Sequence, residues 1–403
     1  MIAVWLTVVA YAWLRHADLW RETVLRRPVV ALESDDWGPG PTEDADGLRE
    51  LAACAEAHRD EAHRPAAVTL GVVLAVADTS VQVGDRECYR RLTLGSERFS
   101  GIRGAMLDGM QKGVFFLQLH GAEHCWPPAL VVAANSDDSV RLWLSTQGVP
   151  RTESLPPFLQ SRWTDSSTLP SKPLPDAAIS AAVDDEVNVF ASVFGVNPNV
   201  VVPPTFVWDE RVERAWARRG IRVVITPGCR FEARDASGNL QSPTKLIRNG
   251  DRTASSQIVY LVRDVYFEPS LGHQAENVLG QIMHRFRLGR PAFVEMHRFN
   301  FIDDVKRLRS SLAELNRLLE LALHALPDLR FVAPAELAES IVRQDPHLIE
   351  TRLMGRLAVW LRRLWEERRI RWLAIVTAAV VPVGLLWLAA SLATGKLSTG
   401  VKA

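Results

Sequence analysis

The sequence predicts an α/β protein: a distorted or incomplete (β/α) barrel of seven or eight strands, with a transmembrane helix near the C-terminus. Three observations point there. Short β-branched runs alternate with amphipathic stretches over residues 28–345, three of those runs end in ionisable side chains at the same polarity, and one long apolar run lies close to the C-terminus. Strands alternating with helices form a parallel sheet with the helices outside, and seven or eight such units suit a barrel.

Residues 1–27 form a segment of their own. Residues 2–14 are apolar but short for a span, and Arg15, Arg21, Arg26 and Arg27 follow the run, the reverse of a secretory signal peptide. A monotopic anchor, a short reverse anchor and a helix packed on the domain all suit it. The body, 28–345, carries candidate strands at 28–33, 67–75, 114–119, 199–202, 221–225, 257–262, 292–296 and 329–332. Helical stretches lie at 47–59, 177–193 and 210–219. A fourth, 303–326, has leucines three and four apart and is closed by Pro327. Residues 78–110 and 134–176, long, polar and rich in Ser, Pro and Gly, are expected to be loop insertions.

Seven arginines with Trp360 and Trp365 between them mark 346–371 as an interfacial helix on an anionic leaflet. Residues 372–393 carry no charge, enough chain to cross roughly 30 Å of hydrocarbon. Pro382 and Gly384 are tolerated inside such a span, and Trp372 sits where interfacial aromatics do. The tail, 394–403, holds only Lys396 and Lys402 as cations, so the arginine-rich side and the body are expected to be cytoplasmic. Lys plus Arg and Asp plus Glu both number 47, a balance that lacks the basic excess of a nucleic-acid binder. Cys54, Cys88, Cys125 and Cys229 form no CxxC pair and are expected to be reduced thiols.

The chemistry gathers at strand ends. VVALESDDWG places Asp35 and Asp36 past the first strand, GVFFLQLHGAEH places His120 at another strand end with His124 four residues on, and AFVEMHRFNF ends in His297. Parallel strands open their C-terminal ends on one face, so these residues are predicted to converge. Histidines at i and i+4 can serve one ion, and a carboxylate from Asp35 or Asp36 completes a His-His-Asp set that leaves coordination positions open. A divalent ion there lowers the pKa of its water to about 7. Adjacent aspartates divide naturally into one ligand and one free base, and His297 is placed to protonate a leaving group. Taken singly, an Asp pair is more often a turn or cap and HxxxH more often two satisfied histidines; the joint placement is the signal. Phosphate-cradling loops, HExxH and GxSxG are absent.

These residues resemble the polysaccharide deacetylase family, the NodB-homology domain of carbohydrate esterases, which carries an Asp-Asp pair after its first strand, an HxxxH and a later strand-end histidine. The likeness is closest to a divergent branch with ESDDWG, QLHGxEH and HRxNF signatures, here 33–38, 118–124 and 297–301, and covers about 28–340. The resemblance implies a distorted barrel and hydrolysis of an N- or O-linked acetyl group on a sugar. It implies Asp35 as base, Asp36, His120 and His124 as metal ligands and His297 as general acid. Zinc suits the set, and Fe2+ or Co2+ would sit there as well. There are departures: VVPPTFVWDE (201–210) replaces an arginine-bearing motif, Gly121 stands where Ser or Thr is usual, and in RDVYFEPS either Asp264 or Glu268 would orient a catalytic group. Trp37, Trp126, Trp208, Arg298 and Glu268 are the substrate-binding candidates, the tryptophans by stacking on a sugar ring or else as core. Membrane lipid and an acetylated glycan precursor, lipid-linked, nucleotide-linked or a nascent exopolysaccharide, are the expected partners. An amidohydrolase for a non-sugar amide and a non-catalytic glycan-binding or scaffold module are the alternatives.

Overall fold

Among the described residues nine strands form one sheet, and every pairing within it is parallel. The computed structural model describes residues 2–78, 89–146, 148–253 and 256–393; Cys88 lies outside the described residues. The strands are β1 (Val29–Trp37), β2 (Val68–Val72), β3 (Phe115–Leu119), β4 (Val200–Val201), β5 (Val223–Thr226), β6 (Val259–Val262), β7 (Val265–Tyr266), β8 (Ala292–His297) and β9 (Arg330–Phe331). Their order across the sheet is β6-β5-β4-β3-β2-β1-β8-β7, with β9 paired to the start of β1. The two edge strands, β6 and β7, are consecutive in the chain. Arg263 and Asp264 alone join them, a reach of roughly 10 Å, so the sheet must curl until its edges nearly meet. The distorted, incomplete barrel expected from the sequence is what these connections enforce.

All eight candidate strands are present within a few residues. The ninth, β7, has no counterpart among them, because two residues carry no period. Helices α1 (Ile2–Arg21), α2 (Asp44–Glu56), α3 (Ser100–Gln111), α4 (Pro127–Ala134), α5 (Asp138–Leu144), α6 (Asp176–Phe194), α7 (Glu210–Arg218), α8 (Ala275–Arg287), α9 (Val305–Ala325) and α10 (Pro334–Arg343) follow in chain order. Asp209 and Asp304 cap α7 and α9, each accepting two backbone N–H bonds. The stretches expected to be loop insertions are corrected in part: α3 lies in the first and α5 in the second, each with buried apolar residues on one side.

Alternation along the strands separates two layers. Val30, Leu32, Val68, Leu70 and Val294 face the outer core beneath the helices. Val29, Ala31, Val223, Ile225, Leu261 and Phe293 face the interior, where Leu337 and Ile341 of α10 pack against them. Along that interior face β1 continues with Glu33 and Asp35, and β8 with Glu295 and His297. The interior therefore runs from aliphatic at the strand beginnings to ionisable at their C-terminal mouth.

The C-terminal region departs from expectation. Residues 372–393 do not form one straight spanning helix. They are divided between α12 (Arg368–Val376) and α13 (Val380–Ala393), bent by 115°. No single described helix is long and apolar enough to cross a membrane. Pro382 explains the break: its ring clashes with the carbonyl four residues back but fits a helix's first turn, and Ala378 turns the chain with φ 54°. The arginine-rich helix α11 (Leu353–Glu366) buries Val359 and packs Trp360, Leu361 and Leu364 with Ala12 and Leu19 of α1, so its apolar side is taken by protein. Arg363 is buried as well, donating to the carbonyls of Leu19, Glu22, Thr23, Leu288 and Gly289. Those residues precede β1 and β8, which places the helical assembly at the base of the barrel.

Candidate metal centre and catalytic groups

The mouth is built from the ends of β1, β3, β6 and β8. In β1 the pairing with β2 shifts register between Ser34 and Trp37, and Asp36 takes φ 68°. Asp tolerates this left-handed conformation better than most residues, and the irregularity breaks strict alternation. Two successive carboxylates can thus both serve the mouth. Trp37, one residue on, turns to the outer core beneath the helices.

His120 Nε2 lies 3.3 Å and His124 Nε2 3.4 Å from Asp36 Oδ1, and the two imidazole nitrogens stand 3.1 Å apart. All three residues are buried. Ligands about 2.0–2.2 Å from one ion, at angles of roughly 90–110°, stand about 3.0–3.4 Å from each other. The triangle matches that spacing, so these residues fit a divalent ion. Nδ1 of His120 is 2.8 Å from the carbonyl of Val202, a bond that places the proton on Nδ1 and turns the Nε2 lone pair inward. Asp36 Oδ1 has no hydrogen-bond partner, which is costly for a buried oxygen unless a cation completes it. Burial works to raise the Asp36 carboxyl, yet His124 and His120 beside it hold it well below the usual carboxylate range. Burial pushes His124 down to about 4, leaving it neutral as a ligand must be. For His120 burial is outweighed by Asp35 and Asp36, which raise it; that excess of negative charge favours a cation.

Asp35 stands directly across from His297 in the β1–β8 register. Its Oδ2 accepts from Arg263 at 2.7 Å, while its Oδ1 has no partner. Burial would raise this carboxyl, but Arg263, then His120 and His297, keep it lowered and ionised. Arg263 also reaches Glu33 at 3.4 Å and Glu295 at 3.1 Å, and is itself buried. Burial pushes Glu33 up to about 7. A Cβ on Gly71 of β2 would sit 2.2 Å from Asp35 Oδ1, so only glycine leaves room for the carboxylate.

His297 Nδ1 is 2.5 Å from Glu268 Oε1. The other oxygen of Glu268 accepts from the backbone N–H of His297 and from Asn300, and Asn300 is in turn held by Ser270. Burial would lower the imidazole, but the hydrogen bond to Glu268, joined by Asp36 and Asp35, raises it to about 10. A protonated ring presents Nε2–H as a donor.

The structure thus brings together all five residues expected to converge. Between Asp264 and Glu268, Glu268 orients His297; Asp264 pairs with Arg285 at 3.1 Å instead. Glu268 is fully buried and committed to that bond, which corrects its assignment as a substrate contact. Trp37 and Trp208 are corrected likewise. Both are buried, donating to Ser34 and Glu213 at 2.8 Å, and offer no face to a sugar. Arg298 is buried in a two-bond pair with Glu153 at 2.7 and 2.9 Å, so it is not free to bind a ligand. Of the three tryptophans Trp126 alone borders open space, in a groove of about 400 Å³ with Tyr89, Arg91, Glu123, Arg162 and Asp185. Sequence reasoning missed Arg263, Asn300 and Gly71. The only trace of Arg263 was its position directly after a strand, the same signal that located Asp35 and His120.

Residues 145–277 match the family model of glycosyl hydrolase family 57. That segment contains Arg263 and Glu268 but none of Asp35, Asp36, His120, His124 or His297. No curated protein matches the chain. Among solved structures, the family 4 carbohydrate esterase from Streptomyces lividans in complex with acetate is similar at 13% identity, covering 76% of this chain and 94% of that one, with a TM-score of 0.35. The peptidoglycan deacetylase PdaC from Bacillus subtilis is similar at 12% identity, covering 80% and 94%, TM-score 0.37. A family 4 carbohydrate esterase pseudoenzyme from Bacillus anthracis is similar at 9% identity, covering 76% and 67%, TM-score 0.34.

Proposed function

We propose that this chain is a metal-dependent hydrolase that removes an N- or O-linked acetyl group from a carbohydrate or glycan precursor. The observation that carries the reading is one mouth holding three functions apart: a triangle of ligand atoms, an ionised carboxylate with one free oxygen, and a protonated imidazole. Asp36, His120 and His124 are the residues that would hold the ion. A divalent ion there supplies Lewis acidity, which acidifies water and polarises a carbonyl. Zn2+ suits the His-His-Asp set, with Fe2+ and Co2+ as alternatives.

Asp35 Oδ1 accepts the proton of the attacking water as its oxygen bonds to the acetyl carbon. Arg263 fixes Asp35 through Oδ2, so the free oxygen keeps its direction. As the C–N or C–O bond breaks, Nε2–H of His297 passes its proton to the departing nitrogen or oxygen. Glu268 holds the ring and retains it as imidazolium until that moment. Acetate and a free amine or hydroxyl leave. A non-catalytic glycan-binding module has no use for a base and an acid poised side by side next to the ligand set.

The test is acetate release from acetylated sugars, with simple amides such as acetanilide in parallel. The wild-type chain loaded with zinc should free acetate from a sugar substrate, and Asp35→Asn should not. Acetate from the simple amides alone would move the assignment to an amidohydrolase. The family 57 match favours one second reading, glycoside cleavage by paired carboxylates; new reducing ends without acetate would establish it.

A further inference from the structure

Helices α1, α12 and α13 expose an unusual amount of apolar surface. Leu14 is 80% exposed, Leu6 65%, Leu385 64%, Leu392 63% and Trp372 61%, with Val4, Val9, Ile375, Val376 and Val381 also open. Soluble surfaces rarely leave such residues contiguous. Here they belong to one body. The indole of Trp5 on α1 donates to the carbonyl of Thr377 at 2.8 Å, at the break between α12 and α13, and Thr377 Oγ1 bonds back to Leu373 at 2.7 Å. The carbonyls of Thr377 and Leu373 beside the break are therefore met by side-chain donors, the kind of partner a break within hydrocarbon requires. Behind this surface, Val383 and Trp387 of α13 pack toward the Trp360 cluster.

Charge names the occupant. Arg15 and Arg21 of α1, Arg287 at the end of α8, and Arg368 and Arg369 of α12 are exposed around the same apolar helices. Trp13, Trp365 and Trp372 stand among them, each more than a third exposed. A hydrophobic face bordered by arginine and tryptophan fits the headgroup–acyl boundary of an anionic leaflet. It does not fit a full crossing: α13, at fourteen residues, is about 21 Å long against roughly 30 Å of hydrocarbon.

We infer that α1, α12 and α13 form a monotopic apolar plate that seats in one leaflet of an anionic bilayer, with the mouth of the barrel turned toward the aqueous side. The orientation follows from the fold, because α1 and α11 are pinned by Arg363 to the strand beginnings while Asp36, His120 and His297 lie at the strand ends. The substrate would then approach from water rather than from the plane of the lipid.

Flotation of the full chain with vesicles tests this. Phosphatidylcholine vesicles containing phosphatidylglycerol should carry the protein up, and pure phosphatidylcholine should carry much less, the difference falling as salt rises. The pair Leu14→Glu with Leu385→Glu should cut flotation at least ~10-fold, and Arg368→Glu with Arg369→Glu should abolish the preference for anionic lipid. A protease-sensitive tag after Ala403 should be digested from the same side as the barrel. A fluorophore at Leu385 should be quenched by doxyl lipids and one at Ser154, near the mouth, should not. A tag protected inside sealed vesicles would mean a spanning segment and overturn the proposal. So would failure to float together with a dimeric mass in detergent-free buffer, which would assign the plate to a second copy of the chain.

Discussion

The two ends of the barrel bury charge in opposite ways. At the base, Arg363 donates to five backbone carbonyls and lies 3.3 Å from Glu22, which also takes two bonds of 2.8 Å from Arg290. At the mouth, Asp35 Oδ1, Asp36 Oδ1 and His124 Nδ1 are buried without a hydrogen-bond partner. A saturated network tethers elements; an unsaturated one stores unmet demand for a ligand. In barrels of this kind the strand-beginning face serves stability and the strand-end face serves chemistry. On the proposed reading the contrast sets Arg363 to architecture and the aspartates to chemistry, although both are equally hidden from water.

Substitutions can break that contrast. The largest effect is expected from Asp35→Asn, which should lower kcat by ~10²–10⁴-fold while the metal stays bound and the melting temperature holds. A parallel fall in thermal stability would show that Asp35 is a structural charge like those at the base. Arg363→Ala should do the reverse, costing about 3–5 kcal/mol of stability by leaving five buried backbone carbonyls without their donor and removing one of the cations beside Glu22, with turnover per folded molecule unchanged; chemical denaturation and active-site titration measure the two separately. Gly71→Ala displaces the Asp35 carboxylate and should reduce kcat by roughly 10²-fold at undiminished metal content.

Glu268→Gln is expected to be milder, about 10–100-fold, but it carries a signature. His297 must be protonated to act, and its raised value near 10 depends on Glu268. Without that carboxylate the imidazole falls toward its ordinary range, so the alkaline limb of the rate profile should move to lower pH. An unmoved limb would remove His297 from the role of acid. The smallest effect belongs to Glu22. Burial opposes its ionisation, but Arg363 and Arg290 hold its carboxyl below the usual value. A depressed folded pKa gives stability present above the ordinary carboxylate range and lost as pH falls through the folded value. Glu22→Gln should therefore flatten the acid side of the stability profile, read from melting temperatures across that range.

Where the sequence was legible, the reason was geometric. Asp35, His120 and His297 each end a short, largely apolar run, and parallel strands deliver their ends to one place whatever the loops between them do. Arg263 obeys the same rule but carries no signal of its own, since acidic residues share its segment and the two-residue strand β7 has no period. Trp37 and Trp208 show that nearness in sequence to a reactive residue does not say which way a side chain turns; a register shift in β1 sends Asp36 to the mouth and Trp37 to the core. Residues 372–393 show the limit of hydropathy. Apolarity along the run does not distinguish one long helix from two, and the deciding residue was Pro382, which starts a helix more readily than it continues one.

The most direct test of the central claim is the metal content of purified chain, wild type beside Asp36→Ala, His120→Ala and Asp35→Ala, after supply of zinc, iron or cobalt. Close to one divalent ion per wild-type chain is expected, none in Asp36→Ala or His120→Ala, and wild-type occupancy in Asp35→Ala. A wild-type chain that retains no ion, or an Asp36→Ala chain that retains as much as wild type, would contradict the account.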